Sequence, residues 1–311
     1  MTVQTVDVAA AKDKNNAALT SVIAAVGLTT FKIIVGVLTG SLGILAEAAH
    51  SGLDLVAAMV TLFAVRASGR IPDEEHTYGH GKIENLSALF ETLLLLATSA
   101  WIIYEAIQRL FFKSVAVDIS IWAFIVMAAS IVIDYTRSGV LYRAAKKHNS
   151  QALEADALHF RTDIWSSSVV IVGLSLVKVS EVVPSLKFLS KADSIAALGV
   201  ALIVIYVSFE LGMRTIQALL DTAPKGSEET IKKIAESVEG VTDCHRVRVR
   251  PSGPVYFADI HVRLNASMSV AEAHEKTLLI QKKIREVYPL MDVVIHTEPT
   301  IPDPDRAKTL E

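Results

Sequence analysis

Six apolar stretches, each long enough to cross a lipid bilayer, occupy the chain up to Asp221. A hydrocarbon core about 30 Å thick takes roughly 20 apolar residues of helix, and the stretches run over approximately 17–39, 42–67, 84–112, 118–142, 153–179 and 192–219. The second and fifth carry His, Asp, Glu and Arg, which reads as helices buried in a bundle and lining a site. The mean hydropathy of +0.42 is high for a soluble chain of 311 residues, yet charged residues still make up 20%. Those charges concentrate beyond Pro224, so length and hydropathy together predict two domains.

The tail alternates as a soluble α/β unit does. Ser227 is the expected N-cap of a helix whose first turn holds Glu228 and Glu229, with its stop at Gly240. Strands follow over 245–250 and 255–264, joined through Pro251-Ser252-Gly253-Pro254, then an amphipathic helix over 270–287 and a short strand over 293–296. The order α-β-β-α-β predicts a two-layer α+β domain of the ferredoxin-like, metallochaperone type. The expected organisation is an N-terminal cytoplasmic tail over 1–16, a six-helix all-α transmembrane bundle over 17–221, a cytoplasmic α/β domain over 222–300, and a mobile tail over 301–311.

Basic residues set the expected orientation. Lys12 and Lys14 precede the first span, Arg66, Arg70 and Lys82 follow the second, and Arg137, Arg143, Lys146 and Lys147 follow the fourth. The opposite side offers Arg109, Lys113, Lys178, Lys187 and Lys191. Both termini are therefore assigned to the cytoplasm. The N-terminus has no apolar core before its charges, so no cleavable signal peptide is expected. The lone Cys244 excludes an intramolecular disulfide, and a net charge of −3 gives no reason to expect a nucleic-acid partner.

Two His-x-x-x-Asp pairs carry the chemistry. Residues i and i+4 share a helix face, so His50 and Asp54 point one way from the second span, and His159 and Asp163 one way from the fifth. Two imidazoles and two carboxylates suit a tetrahedral zinc ion, and the carboxylates neutralise a dication where a lone charge would be costly. A single such pair on a soluble helix is usually a surface ion pair. Two inside apolar spans are expensive, and read as functional. Glu47 and Asp156 precede the two histidines by about a turn and suit an entrance or supporting role. Glu91, Glu105, Asp134 and Glu210 suit helix ends or the bundle interior.

The six spans, the α/β tail and the segments AEAAHSGLD, HTYGHGK and ADALHFRTD resemble the cation diffusion facilitator family of metal/proton antiporters. The resemblance runs from about residue 17 to 300 and implies a homodimer in a lipid bilayer. It puts His50, Asp54, His159 and Asp163 in the transport site of each protomer. It implies a second, more exposed metal site at Asp73, His76 and His80, and a salt-bridge region between protomers at Lys82 and Asp221. In the tail it implies zinc bound by His245, His261, His296 and Glu298, with His274 as an extra ligand. Some bacterial relatives have Asp where this chain has His50, and others Asp where it has Glu298. An imidazole in place of a hard oxygen favours zinc over manganese.

The expected function is efflux of Zn2+ in exchange for protons by alternating access, with Cd2+, Co2+, Fe2+ and Mn2+ as alternative cargo. The expected location is a bacterial inner membrane. Two other classes compete: a membrane zinc hydrolase, and a metal sensor merely anchored by its helices. The chain has no His-Glu-x-x-His, and four protein ligands leave no open position for an activated water. Intramembrane carboxylates are out of place in a mere anchor. The chain is read as a carrier and not an enzyme.

Overall fold

The computed structural model describes residues 8–111, 121–182 and 192–300. The chain divides into two compact units, Met1–Ile216 and Gln217–Glu311. The first holds the long helices α1 (Val8–Thr39), α2 (Leu42–Ser68), α3 (Lys82–Phe111), α4 (Ile121–His148), α5 (Gln151–Val182) and α6 (Ala192–Leu219), the last of which runs just past the boundary. Helix closes every backbone hydrogen bond within the segment, which is what a hydrocarbon surrounding demands. Among the described residues, five of these helices are long and apolar enough to span a membrane. The exception is α5, whose first half carries Glu154, Asp156, Arg161 and Asp163.

Helices of about 30 residues are roughly 45 Å long, well beyond a 30 Å hydrocarbon core, so they project from it. This explains where the observed bounds differ from expectation. α1 begins at Val8 and so takes in the last nine residues of the expected tail, where Ala9–Ala11, Lys12 and Lys14 are good helix formers. Its projecting turn is anchored: Lys14, almost fully buried, lies 2.5 Å from the wholly buried Glu84 of α3. α4 likewise continues to His148, where Lys147 and His148 meet Asp13 at 2.6 and 3.3 Å. Arg137 is therefore no loop cation. It is buried in α4, donates to Asp134 at 3.1 Å and to Ser21 at 3.2 Å, and lies 3.6 Å over the Phe160 ring. It drops out of the loop-charge argument for orientation. Lys113, Lys187, Lys191 and the 301–311 tail lie outside the described residues.

α1 turns into α2 through Gly40 at φ 64°, a conformation that costs a residue with a Cβ, and Ser41 caps α2 by accepting from the Ile44 N–H. One turn earlier a Cβ on Gly36 would come within 2.7 Å of Leu45, so the glycine permits the helices' close approach. α2 also packs against α3 and α5, and α5 against α3 and α4, which brings α2 and α5 face to face.

The second unit contains α7 (Ser227–Glu236), β1 (Val241–Ser252), β2 (Val255–Asn265), α8 (Val270–Val287) and β3 (Met291–Thr300). The expected αββαβ element order is present, and the sheet order is β1-β2-β3: β1 and β2 form an antiparallel hairpin, and the α8 crossover returns β3 parallel to β2. Ser227 is not the cap of α7. Gly226 takes that place at φ 77°, and the buried Ser227 hydroxyl donates back to the Pro224 carbonyl. α8 starts with a full capping box between Ser269 and Glu272. Ile231, Ile280 and Ile284 from the helices pack on Ala258, Ile260, Val262, Leu264, Met291 and Val293 of the sheet. One sheet face is thus covered by helices; the alternate residues point away from them.

Candidate metal sites

The α2–α5 contact brings the four paired residues together. The Nε2 of His159 lies 3.1 Å from Asp54 Oδ1 and 3.7 Å from Asp163 Oδ2. The Nε2 of His50 lies 4.0 Å from Asp54 Oδ1 and 4.0 Å from Asp163 Oδ1. A tetrahedron of bonds 2.0–2.1 Å long has edges of roughly 3.4 Å. The four measured separations bracket that edge, so the donor set fits a four-coordinate ion after small side-chain adjustments. Burial is uneven. The His159 side chain is 5% exposed and Asp54 12%, whereas His50 is 45% exposed. His50 is the outer ligand, and the other three form the inner cluster.

Supporting groups surround the cluster. Thr61 of α2 donates to Glu91 Oε1 at 3.0 Å, and Glu91, fully buried in α3, places Oε2 3.8 Å from His159 Nδ1. Asp156, one turn before His159, is also fully buried, and neither carboxyl oxygen has a hydrogen-bond partner among the described residues. Glu47 does not join the cluster. It faces Lys32 of α1 at 3.4 Å, and buried Lys32 also donates to Ser51 at 2.7 Å. Asp134 is taken up by Arg137. Glu105 is half-buried and Glu210 exposed. Lys32 had a legible signal, a lone cation in an apolar span; Thr61 had none, because a threonine in such a helix usually bonds its own backbone.

The loop between α2 and α3 gathers its expected residues around one carboxylate. Asp73 lies 3.2 Å from His76 Nδ1 and 3.2 Å from His80 Nε2, and the two rings are 4.4 Å apart. The backbone N–H of His76 donates to Asp73 Oδ1 at 2.6 Å and holds that carboxyl below the usual range. Gly79, at φ 78°, makes the turn that returns His80 to the carboxylate. Lys82 is the first residue of α3, and Asp221 follows α6 in the left-handed region at φ 60°; the two belong to different units.

On the helix-free face of the tail sheet, His245, His261 and His296 sit side by side across the three strands, since His245 pairs with His261 and His261 with His296. A bulge at Arg246, a non-glycine residue at φ 49°, makes this possible. It shifts the alternation so that Cys244 and Val249 both face the core while His245 stays outside. Glu298 ties the row together. Its Oε1 is 2.8 Å from His261 Nδ1 and its Oε2 3.3 Å from His245 Nε2. The His261 contact is the chief reason the Glu298 carboxyl lies below its ordinary range.

Two residues here escaped the sequence reading. Asp243 lies 2.9 Å from His245 Nδ1, and the Arg263 guanidinium lies 3.4 Å from Asp243 and 3.7 Å from Glu298. Their signal was the strand alternation, which puts 261 and 263 on one face. His274 is exposed on α8, in the layer that covers the opposite sheet face, and is not brought to the row within the chain. Cys244 is buried in the core on the helix-covered side of the sheet, away from the histidine row, and burial pushes its thiol up to about 11.

Comparison with known proteins matches this layout. The family model described as the cation efflux transmembrane domain covers residues 18–220, and that of the cation efflux protein cytoplasmic domain covers 223–300. A cation-efflux pump FieF from Yersinia enterocolitica is 32% identical over 287 residues, 91% of this chain and 92% of the relative. The FieF of Salmonella arizonae is 30% identical over 302 residues, 96% of each. Among solved structures, the metal-bound C-terminal domain of the CzcD transporter from Thermotoga maritima is 34% identical; it covers 24% of this chain and 90% of its own, with a TM-score of 0.23. Both halves of the chain match in order and nearly in full, and the chain belongs to the cation diffusion facilitator family, as a membrane-embedded cation efflux transporter.

Proposed function

We propose that the protein is a zinc/proton antiporter that works by alternating access as a homodimer, with His50, Asp54, His159 and Asp163 as the transport site. The observation that carries this reading is the meeting of two imidazoles and two carboxylates at 3.1–4.0 Å between α2 and α5. The ion enters from the cytoplasm, where both termini lie, and exchanges water for the four ligands. A rocking of α2 and α5 with the bundle then opens the site to the other side. Ligation needs neutral imidazole and ionised carboxylate, so protons compete with the ion for the same atoms. An inward proton therefore discharges the metal and resets the carrier.

The imidazole of His50 makes the donor set softer than an all-carboxylate partner for His159 would, which favours Zn2+, with Cd2+, Co2+ and Fe2+ ahead of Mn2+. Asp73, His76 and His80 bind a second ion in the loop, and His245, His261, His296 and Glu298 bind metal in the tail. Metal held more tightly in one conformation than the other biases the cycle by that difference in affinity. Lys82 and Asp221 form the salt-bridge region between protomers, in a bacterial inner membrane. The test is zinc flux driven by a pH gradient in proteoliposomes. The wild type exchanges zinc for protons, and Asp54→Ala or His159→Ala abolishes the exchange. Wild-type flux in either variant overturns the site; zinc flux without proton movement overturns the antiport.

A further inference from the structure

Glu91 is an expensive residue with no role in the four-ligand site. It is wholly buried in α3, and Thr61 satisfies one of its oxygens at 3.0 Å. The other, Oε2, has no hydrogen-bond partner among the described residues. The Nδ1 of His159, also buried, likewise has none, and the two unsatisfied atoms are 3.8 Å apart. Buried polar atoms without partners call for an explanation, and here each faces the other. The His159 ring presently leans on Asp54, its Nε2 at 3.1 Å. A small rotation that carries Nε2 from Asp54 towards a central ion also swings Nδ1, and closing 3.8 Å to hydrogen-bond length takes under about 1 Å.

We propose that Glu91 is a positioning residue for His159. Its Oε2 accepts the Nδ1–H, which leaves the lone pair of Nε2 for the transported ion. This rests on the reading of His159 as a ligand. Thr61 holds the carboxylate from α2, so three helices contribute to the aim of one imidazole. A carboxylate behind a ligating histidine fixes the tautomer and raises the basicity of the nitrogen that binds, and losing one weakens binding about 10–100-fold.

Glu91→Gln gives the sharpest test, because it keeps the shape and can keep the Thr61 bond. The amide then turns its NH2 towards Nδ1, which must accept, and the proton is kept on Nε2, where the ion should bind. Full-length wild type, Glu91→Gln, Thr61→Val and His159→Ala are compared in three ways: KM for zinc in proteoliposomes, thermal midpoint without metal, and 15N spectra of histidine-labelled protein titrated with zinc. The signal missing from His159→Ala identifies His159. The expected result is a zinc-loaded wild-type His159 bound through Nε2 with its proton on Nδ1, whereas in Glu91→Gln the proton stays on Nε2, where the Asp54 contact holds it, until zinc is raised. Zinc should then saturate the Glu91→Gln signal at about 10–100-fold higher concentration, with KM raised and the metal-free midpoint unchanged. Thr61→Val should shift the zinc response less than Glu91→Gln does. A zinc-loaded wild-type His159 bound through Nδ1, an unaltered zinc response in Glu91→Gln, or a weakened response with a lowered metal-free midpoint each overturns the proposal. Unaltered zinc KM in His159→Ala overturns the underlying site instead, which separates the two failures.

Discussion

The inner cluster between α2 and α5 and the row on the tail sheet use the same side chains in opposite surroundings. In the membrane unit, Asp54 and His159 are buried among apolar helices, and each carboxylate there is costly unless a cation or proton offsets it. In the tail, His245, His261 and Glu298 are about a quarter exposed, and Arg263 already lies against the carboxylates as a resident cation. Under the proposed function, the buried cluster would depend on its ion or on protons, and binding there would be tied to the conformation of the bundle. The surface row is compensated by Arg263, so a metal bound there would have to compete with it. Under the proposed function, the first site would serve coupling and the second a threshold.

Substitution should divide the two most sharply. Asp54→Ala is expected to lower zinc flux by more than about 100-fold, since it removes a ligand and leaves the cluster's cationic partner unpaired. His261→Ala, in the tail, is expected to leave at least part of the flux. Equal loss in both, read by the same proteoliposome assay, would erase the distinction between coupling and regulation. Within the membrane cluster, His50→Asp is expected to change cargo more than rate. Exchanging an outer imidazole for a hard oxygen should raise transport of Mn2+ relative to Zn2+ by about 10-fold. An unchanged preference in a metal-competition assay would mean that selectivity is set elsewhere.

What was legible beforehand follows the same division. The two His-x-x-x-Asp pairs were readable because i, i+4 spacing and the membrane both limit the alternatives, and α8 was readable from 270 to 287 because its amphipathic period is regular. Contacts made across elements were not. The reach of α1 back to Val8 depends on Lys14 finding Glu84, 70 residues away, and the role of Arg137 on Asp134, Ser21 and Phe160. The row of three histidines needed the strand register and the bulge at Arg246, which no local pattern specifies. For the same reason Arg263 and Asp243 were passed over beside residues that were singled out.

Acid should act on the tail row in a defined sense. Glu298 is held below its ordinary range chiefly by His261, so the stabilisation it brings is present above that range and lost as pH falls through the lowered value. The metal-free tail should keep this contribution at neutral pH and lose about 0.5–1 kcal/mol below roughly pH 4, as for a partly exposed pair. Hydrogen exchange of β3 amides in the full chain measures it, and Glu298→Gln should remove the pH-dependent part. The smallest effect is expected from Arg263→Ala. Losing the resident cation should tighten zinc binding at the tail by about 2–5-fold, in line with a half-exposed ion pair worth under about 1 kcal/mol. Weaker binding would mean that Arg263 orients the carboxylates instead of competing for them.

The central claim is that the transported ion rests between α2 and α5 on four specific atoms. Anomalous scattering at the zinc edge from the zinc-loaded full-length protein tests it most directly. The expected peak lies within about 2.0–2.2 Å of the Nε2 atoms of His50 and His159 and one oxygen each of Asp54 and Asp163. Peaks confined to the Asp73 loop and the tail row, with nothing between α2 and α5 at saturating zinc, would contradict it.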